Sequence, residues 1–154
     1  MSIENRLLDA SELYKLGRHE GALLSVLIAA AATARRRYPH GIEKKEVNAF
    51  RRFLRDELSR WGCVCQFSFH GRCIPLDEFL YGFLRNHLAH EATMHSDVVF
   101  TAGPSETSMK IKVEGTPERF VIPYTLVRFL GYCVSRATEN QGISDRAKRA
   151  LDPS

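Results

Sequence analysis

Residues Ala22 to Ala34 form a nearly unbroken apolar run, interrupted only by Ser25 and Thr33. The run lies in a helical segment, His19 to Tyr38, where Leu23, Leu24, Val26, Leu27 and Ile28 precede the alanines Ala29, Ala30, Ala31 and Ala32. A helix that is apolar on every face must be surrounded, so this segment is expected at the centre of a bundle or shared with a partner. The small alanines let a neighbouring helix approach closely. Pro39 and Gly41 stop the segment. The run is shorter than the roughly 18 residues that a membrane span requires, so no membrane partner is expected.

The remaining pattern supplies the partners for that central helix. Ile3, Leu7, Ala10 and Tyr14 repeat at helical spacing up to Gly17. Between Glu43 and Trp61, an apolar stripe of Val47, Phe50, Leu54, Leu58 and Trp61 opposes a polar face of Asn48, Arg51, Arg52 and Arg55. A further helix is predicted from Pro75 to Leu88, with Asp77 and Glu78 in its first turn. Its inward stripe is Leu76, Phe79, Leu80, Phe83, Leu84 and His87. The last long helix begins at Pro123 and ends at Gly142, with Leu126, Phe129, Leu130, Cys133, Val134 and Ala137 inward. Between these two helices the period changes. Val98-Val99-Phe100 suggests a short strand, and Met109–Glu114 and Arg119–Ile122 alternate around a turn at Gly115–Glu118, which reads as a β-hairpin. Cys63 to Phe69 also alternates, as a short strand or an extended loop.

A chain of 154 residues fits one domain with a real core. The predicted architecture is an all-α, up-and-down bundle of about five helices, with a β decoration over 98–122 before the last long helix. The domain is placed at 1–142, and 143–154 is expected to be a basic tail with a short frayed helix. The N-terminal Met1-Ser2-Ile3-Glu4-Asn5 has neither the basic flank nor the apolar core of a secretory leader, so a cytoplasmic location is expected.

The formal charge of +4 permits an anionic partner without requiring one. Its distribution is uneven. Arg35, Arg36 and Arg37 are consecutive, and Arg51, Arg52 and Arg55 follow on the next helix. These six are the candidate RNA or phosphate contacts. A solvated basic face is the competing reading, since cations at a helix C-terminus are favoured in any case. Walker, G-x-G-x-x-G and G-x-S-x-G motifs are all missing, which removes support for nucleotide and serine hydrolases.

Two groups of potential metal ligands stand out. Cys63, Cys65, His70 and Cys73 fall within eleven residues, but C-x-C-x4-H-x2-C is not a common zinc spacing, and reduced cysteine often serves as a small core residue. His87, His90, Glu91 and His95 form the second group, although His87 lies on the apolar stripe. Neither group calls for a metal, and no cofactor is expected.

The stretch with the most chemical content is Arg85-Asn86-His87-Leu88-Ala89-His90. Arginine offers phosphate a planar fork of donors, and histidine moves protons near neutral pH. The stretch resembles the R-x4-H motif of HEPN domains, with a polar residue directly after the arginine. The resemblance extends by order of elements over roughly residues 4–140. It includes the pair Leu7–Tyr14 and Gly21–Ala30, then Arg35-Arg36-Arg37-Tyr38-Pro39 and Phe83-Leu84-Arg85-Asn86. It implies a dimerising helical domain with metal-independent endoribonuclease activity, in which the RNA's own 2′-hydroxyl attacks and leaves a cyclic phosphate. Arg85 would then stabilise developing charge, His90 would act as acid or base, and Asn86 would orient the phosphate or the catalytic pair. A toxin or phage-defence role, with an antitoxin or regulatory protein as partner, is likewise implied only by the resemblance. Some toxin members carry a modifiable tyrosine two residues after the histidine, where this chain has Ala92. Some HEPN proteins only bind, so a silent module for RNA, a nucleotide or a protein is the alternative.

Residues five apart on a regular helix are rotated by about 140°. Arg85 and His90 therefore meet only if the helix loosens before His90, or if two copies of the chain share one cleft. In the second case Tyr81, Arg85 and Leu88 would face the partner, and Gly82 would let its backbone come near.

Overall fold

The computed structural model describes residues 2–63, 65–103, 105 and 109–153. Helix α1 (Ile3–Lys15) starts at Ser2, whose hydroxyl accepts from the Asn5 N–H at 3.2 Å. Gly17, at φ +73°, turns the chain into α2 (His19–Arg37). Helix α2 packs on α1, on α3 (Glu46–Arg60), on the helix α4 (76–91) and on α5 (Leu126–Ser135). Leu23, Val26, Leu27, Ala29, Ala30 and Ala34 are all buried. Contacts within one chain thus explain most of the apolar run, while Leu24 and Ile28 on one side stay half-buried and Ala32 exposed.

Two small sheets close the bundle. Strands β1 (Gln66–Phe69) and β2 (Arg72–Pro75) form an antiparallel hairpin over His70 and Gly71, both at positive φ. The second sheet has the order β3-β5-β4. Strand β4 (Lys112–Glu114) pairs antiparallel with β5 (Arg119–Pro123), as the alternation predicts, and β3 (Val98–Thr101) adds to β5 in parallel. Phe120 on β5 ties the sheets to α4. Its ring stacks on Phe69 at 4.5 Å and on Phe79 at 4.3 Å, with Phe67 edge-on at 5.7 Å.

The chain after 142 is not a loose tail. A 3₁₀ turn (Thr138–Asn140) packs on α2, a short helix α6 (Asp145–Arg149) folds back on α1 and α5, and Leu151 is 3% exposed. Leu151 sits so close to Gly131 on α5 that a Cβ there would overlap its side chain. The expected boundary at 142 marks the end of the long helical pattern. Core packing runs on to Leu151.

A polar network also lies inside. Asn140 donates to Thr33 Oγ1 at 2.9 Å and to the Val134 carbonyl at 2.8 Å. Arg37 bonds the fully buried Glu57 and holds Glu139 through contacts of 2.6 and 2.9 Å. Its guanidinium lies 4.8 Å from the Phe53 ring centroid. These partners hold the Arg37 pKa above its ordinary value and lower that of Glu139. Among the described residues, no helix is long and apolar enough to cross a membrane.

Candidate functional site

Helix α4 carries the R-x4-H stretch, and it is not regular. It opens as an α-helix (Leu76–Phe79), continues as a π-helical segment (Leu80–Arg85) and returns to α (Asn86–Glu91). Bonding i→i+5 widens the turn, and such segments occur often at functional sites. Wider winding also shifts the inward register. Leu80, Leu84 and Leu88 are buried, while His87 is half-buried. Leu88 therefore belongs to the core and does not face a partner, contrary to the expectation from regular winding. The helix ends at Ala92, in the left-handed conformation at φ 59°.

The loosening lies on the N-terminal side of Arg85. The π-helical segment ends at Arg85, and from Asn86 to Glu91 the backbone is α-helical, so Arg85 and His90 still diverge by about 140°. Arg85 turns toward α3, where its Nη2 donates to Glu46 in the first turn. The Arg85 side chain is 17% exposed and that of Glu46 is 48% exposed. The Arg85 guanidinium carbon lies 5.8 Å from the Tyr81 ring centroid. Arg85 Nε is buried and has no hydrogen-bond partner among the described residues. Asn86 and His90 are exposed, and four residues apart they share one helix face with the exposed Gly82 and Ala89. Neither Asn86 nor His90 makes a side-chain hydrogen bond to the described residues.

Most of the six candidate phosphate-binding arginines are tied down within the chain. Arg35 donates to the backbone carbonyls of Tyr38, Glu43 and Lys44, which braces the loop after α2. Arg37 belongs to the buried network. Arg36 reaches Asn140 Oδ1 at 3.4 Å while remaining exposed. Arg52 lies over the Tyr38 ring and 3.8 Å from Glu43. Arg51 and Arg55 converge on one oxygen of the buried Asp77, at 2.8 and 3.4 Å. The basic run is thus partly structural, and Arg36, Arg52 and Arg55 keep their heads at the surface.

The two potential metal sets are not assembled. Among the described residues, no group of three or more His, Cys, Asp or Glu side chains is placed to hold a metal ion. Cys63 and Cys65 precede β1, His70 sits in the hairpin turn, and Cys73 is on β2 opposite Ser68. In the second set, the His87 and His95 rings lie 5.0 Å apart, and His95 also meets Phe83 at 4.9 Å. His90 and Glu91 stay exposed at the helix end.

Three structural relationships were not visible in the linear pattern. Glu46 reads as an ordinary first-turn acid, and Asp77 likewise. Only the fold brings the first to Arg85 and the second to Arg51 and Arg55. The third is His19, which opens α2 and stacks on Tyr124 at 3.7 Å, with Tyr14 edge-on at 4.9 Å.

A family model described as Rv1289 matches residues 2–151. The chain therefore belongs to the Rv1289 family. No curated protein and no solved structure matches it.

Proposed function

We propose that this member of the Rv1289 family is a HEPN-type endoribonuclease, in which Arg85, Asn86 and His90 act on RNA without a metal. The observation that carries the reading is the outer face of α4. Asn86 and His90 stand there exposed and unpartnered beside Arg85, whose buried Nε lacks an acceptor and whose fork is held by a half-exposed carboxylate. A phosphate is the stronger acceptor for that fork, because it accepts two parallel charge-assisted bonds. The 2′-hydroxyl of the RNA would attack its own phosphorus, giving up its proton to one basic group. The leaving 5′-oxygen would take a proton from another, and the product would be a cyclic phosphate. Proton transfer of this kind suits a histidine near neutral pH.

One chain presents Arg85 and His90 in different directions, so the reaction calls for two. A two-fold pair of α4 helices brings one copy's His90 toward the other copy's Arg85, and the small Gly82 and Ala89 on that face let the helices approach. The fit to a second copy is part of the proposal. The same helix face belongs to an RNA-binding module without catalysis if Glu46 holds Arg85 permanently. Incubation of the purified chain with single-stranded RNA in EDTA separates the two. Cyclic-phosphate products lost in Arg85→Ala and His90→Ala support the enzyme. Salt-dependent RNA binding with no products supports the silent module.

A further inference from the structure

We infer that the cleft between α3 and the β2–α4 junction binds a medium-chain carboxylate, with its head on Arg51 and Arg55 and its chain in the adjoining apolar cavity. The two spaces are neighbours. The cleft with the two arginines at one end, about 430 Å³, and the apolar cavity, about 250 Å³, share Leu58, Cys63, Cys65 and Leu76 as lining residues. At the polar end, Asp77 takes only Arg51 Nε and one nitrogen of Arg55. Both arginines line the cleft, and among the described residues no acceptor holds the Nη nitrogens of Arg51 or Nε and Nη1 of Arg55. Two guanidinium charges against one carboxylate leave a single positive charge, which matches a monoanion. Asp77 also orients both forks, so little ordering is left for a ligand to supply.

The apolar end is lined by Phe67, Leu80, Ile111, Leu126, Phe129 and Leu130. At about 30 Å³ per water-sized group, its volume suits roughly eight carbons, and the carbons next to the head would lie in the adjoining cleft. An apolar pocket with a few convergent polar groups at one end is the usual form of a small-molecule site. Cys63 and Cys65 stand where head and chain would join, and burial pushes both thiols up from their ordinary value. The site is separate from the RNA-facing helix surface and does not depend on that reading.

The test is isothermal titration of the full chain with decanoate, below its micelle concentration. Saturable binding of one decanoate per chain is expected, with decanol and decylammonium each binding much more weakly. Arg55→Gln, at an exposed position, should weaken binding by about tenfold or more, as for loss of a charged hydrogen bond. Ile111→Trp should fill the cavity and abolish binding. Bound decanoate should also slow alkylation of Cys65 while leaving Cys73, which lines neither space, unaffected. Absent saturable binding, equal binding of decanol or decylammonium, or unchanged binding in Arg55→Gln verified as folded by circular dichroism would each overturn the proposal.

Discussion

Arg85 on α4 is held by Glu46 in the first turn of α3, an ion pair between residues 39 apart in the chain. It sits directly beside the exposed face that carries Asn86 and His90. Glu46 thus competes with any anion for the arginine's fork. Glu46→Gln removes the competing charge and keeps a hydrogen-bonding group. The variant should bind single-stranded RNA more tightly than wild type, as read by fluorescence anisotropy at fixed salt. The cost in stability should stay below about 1 kcal/mol, the usual worth of a partly exposed pair. Unchanged RNA affinity would mean that Arg85 does not meet the RNA.

Arg37 has a different kind of partner. Glu57 is fully buried, and apart from Arg37 the bonded cation near it is Arg60, at 3.3 Å. Arg37→Met should destabilise the fold by roughly 3–5 kcal/mol, because it leaves a buried carboxylate poorly compensated. Urea denaturation measures this loss. The double variant Arg37→Met with Glu57→Leu should recover a large part of it.

The C-terminal segment is a structural part of the domain. Leu151→Ala removes a side chain buried against Gly131 and should cost about 2–5 kcal/mol, as buried leucine truncations do. A chain ending at residue 142 should lose at least as much. Thermal unfolding of both variants checks this, and a truncated chain as stable as the full one would return the domain boundary to 142.

His19 gives the fold a pH dependence. Burial lowers its pKa below the ordinary 6.5, and its Nδ1 is buried without a partner among the described residues. Well above pH 6.5 both folded and unfolded states hold a neutral imidazole, so His19 adds no pH dependence there. As pH falls through 6.5 the unfolded chain takes up a proton first, and stability drops until the folded-state pKa is reached. Unfolding free energies of wild type and His19→Phe, compared between pH 8 and pH 5, should diverge over that window, with the wild type falling faster.

The helical skeleton was legible because long periodic segments with clear stops report burial directly. The Ala22–Ala34 run dictated a central helix, and the alternation around Gly115–Glu118 dictated the β4–β5 hairpin. Less legible was whatever depends on a register change or a distant partner. The stripe on α4 reads correctly up to Leu84. There the π-helical segment moves the inward position from His87 to Leu88, and no residue in Leu80–Arg85 announces that change. Trp61, placed on the α3 stripe by spacing, ends up 41% exposed because the helix stops at Arg60. The acids Glu46, Asp77 and Glu57 carry no signal of their partners in the sequence. Each proves to be the anchor of an arginine, which is why the basic run is less free than its sequence suggests.

The proposal that α4 carries a ribonuclease site is tested most directly by one comparison. Wild type, Arg85→Ala and His90→Ala are incubated side by side with single-stranded RNA in EDTA, and products are resolved by mass for a terminal cyclic phosphate. The account predicts such products from the wild type and a loss of at least about a hundredfold in each variant, the usual scale of a general acid–base contribution. Their melting temperatures should stay close to that of the wild type. Cleavage that persists in both variants, or a wild type that leaves the RNA intact, would contradict it.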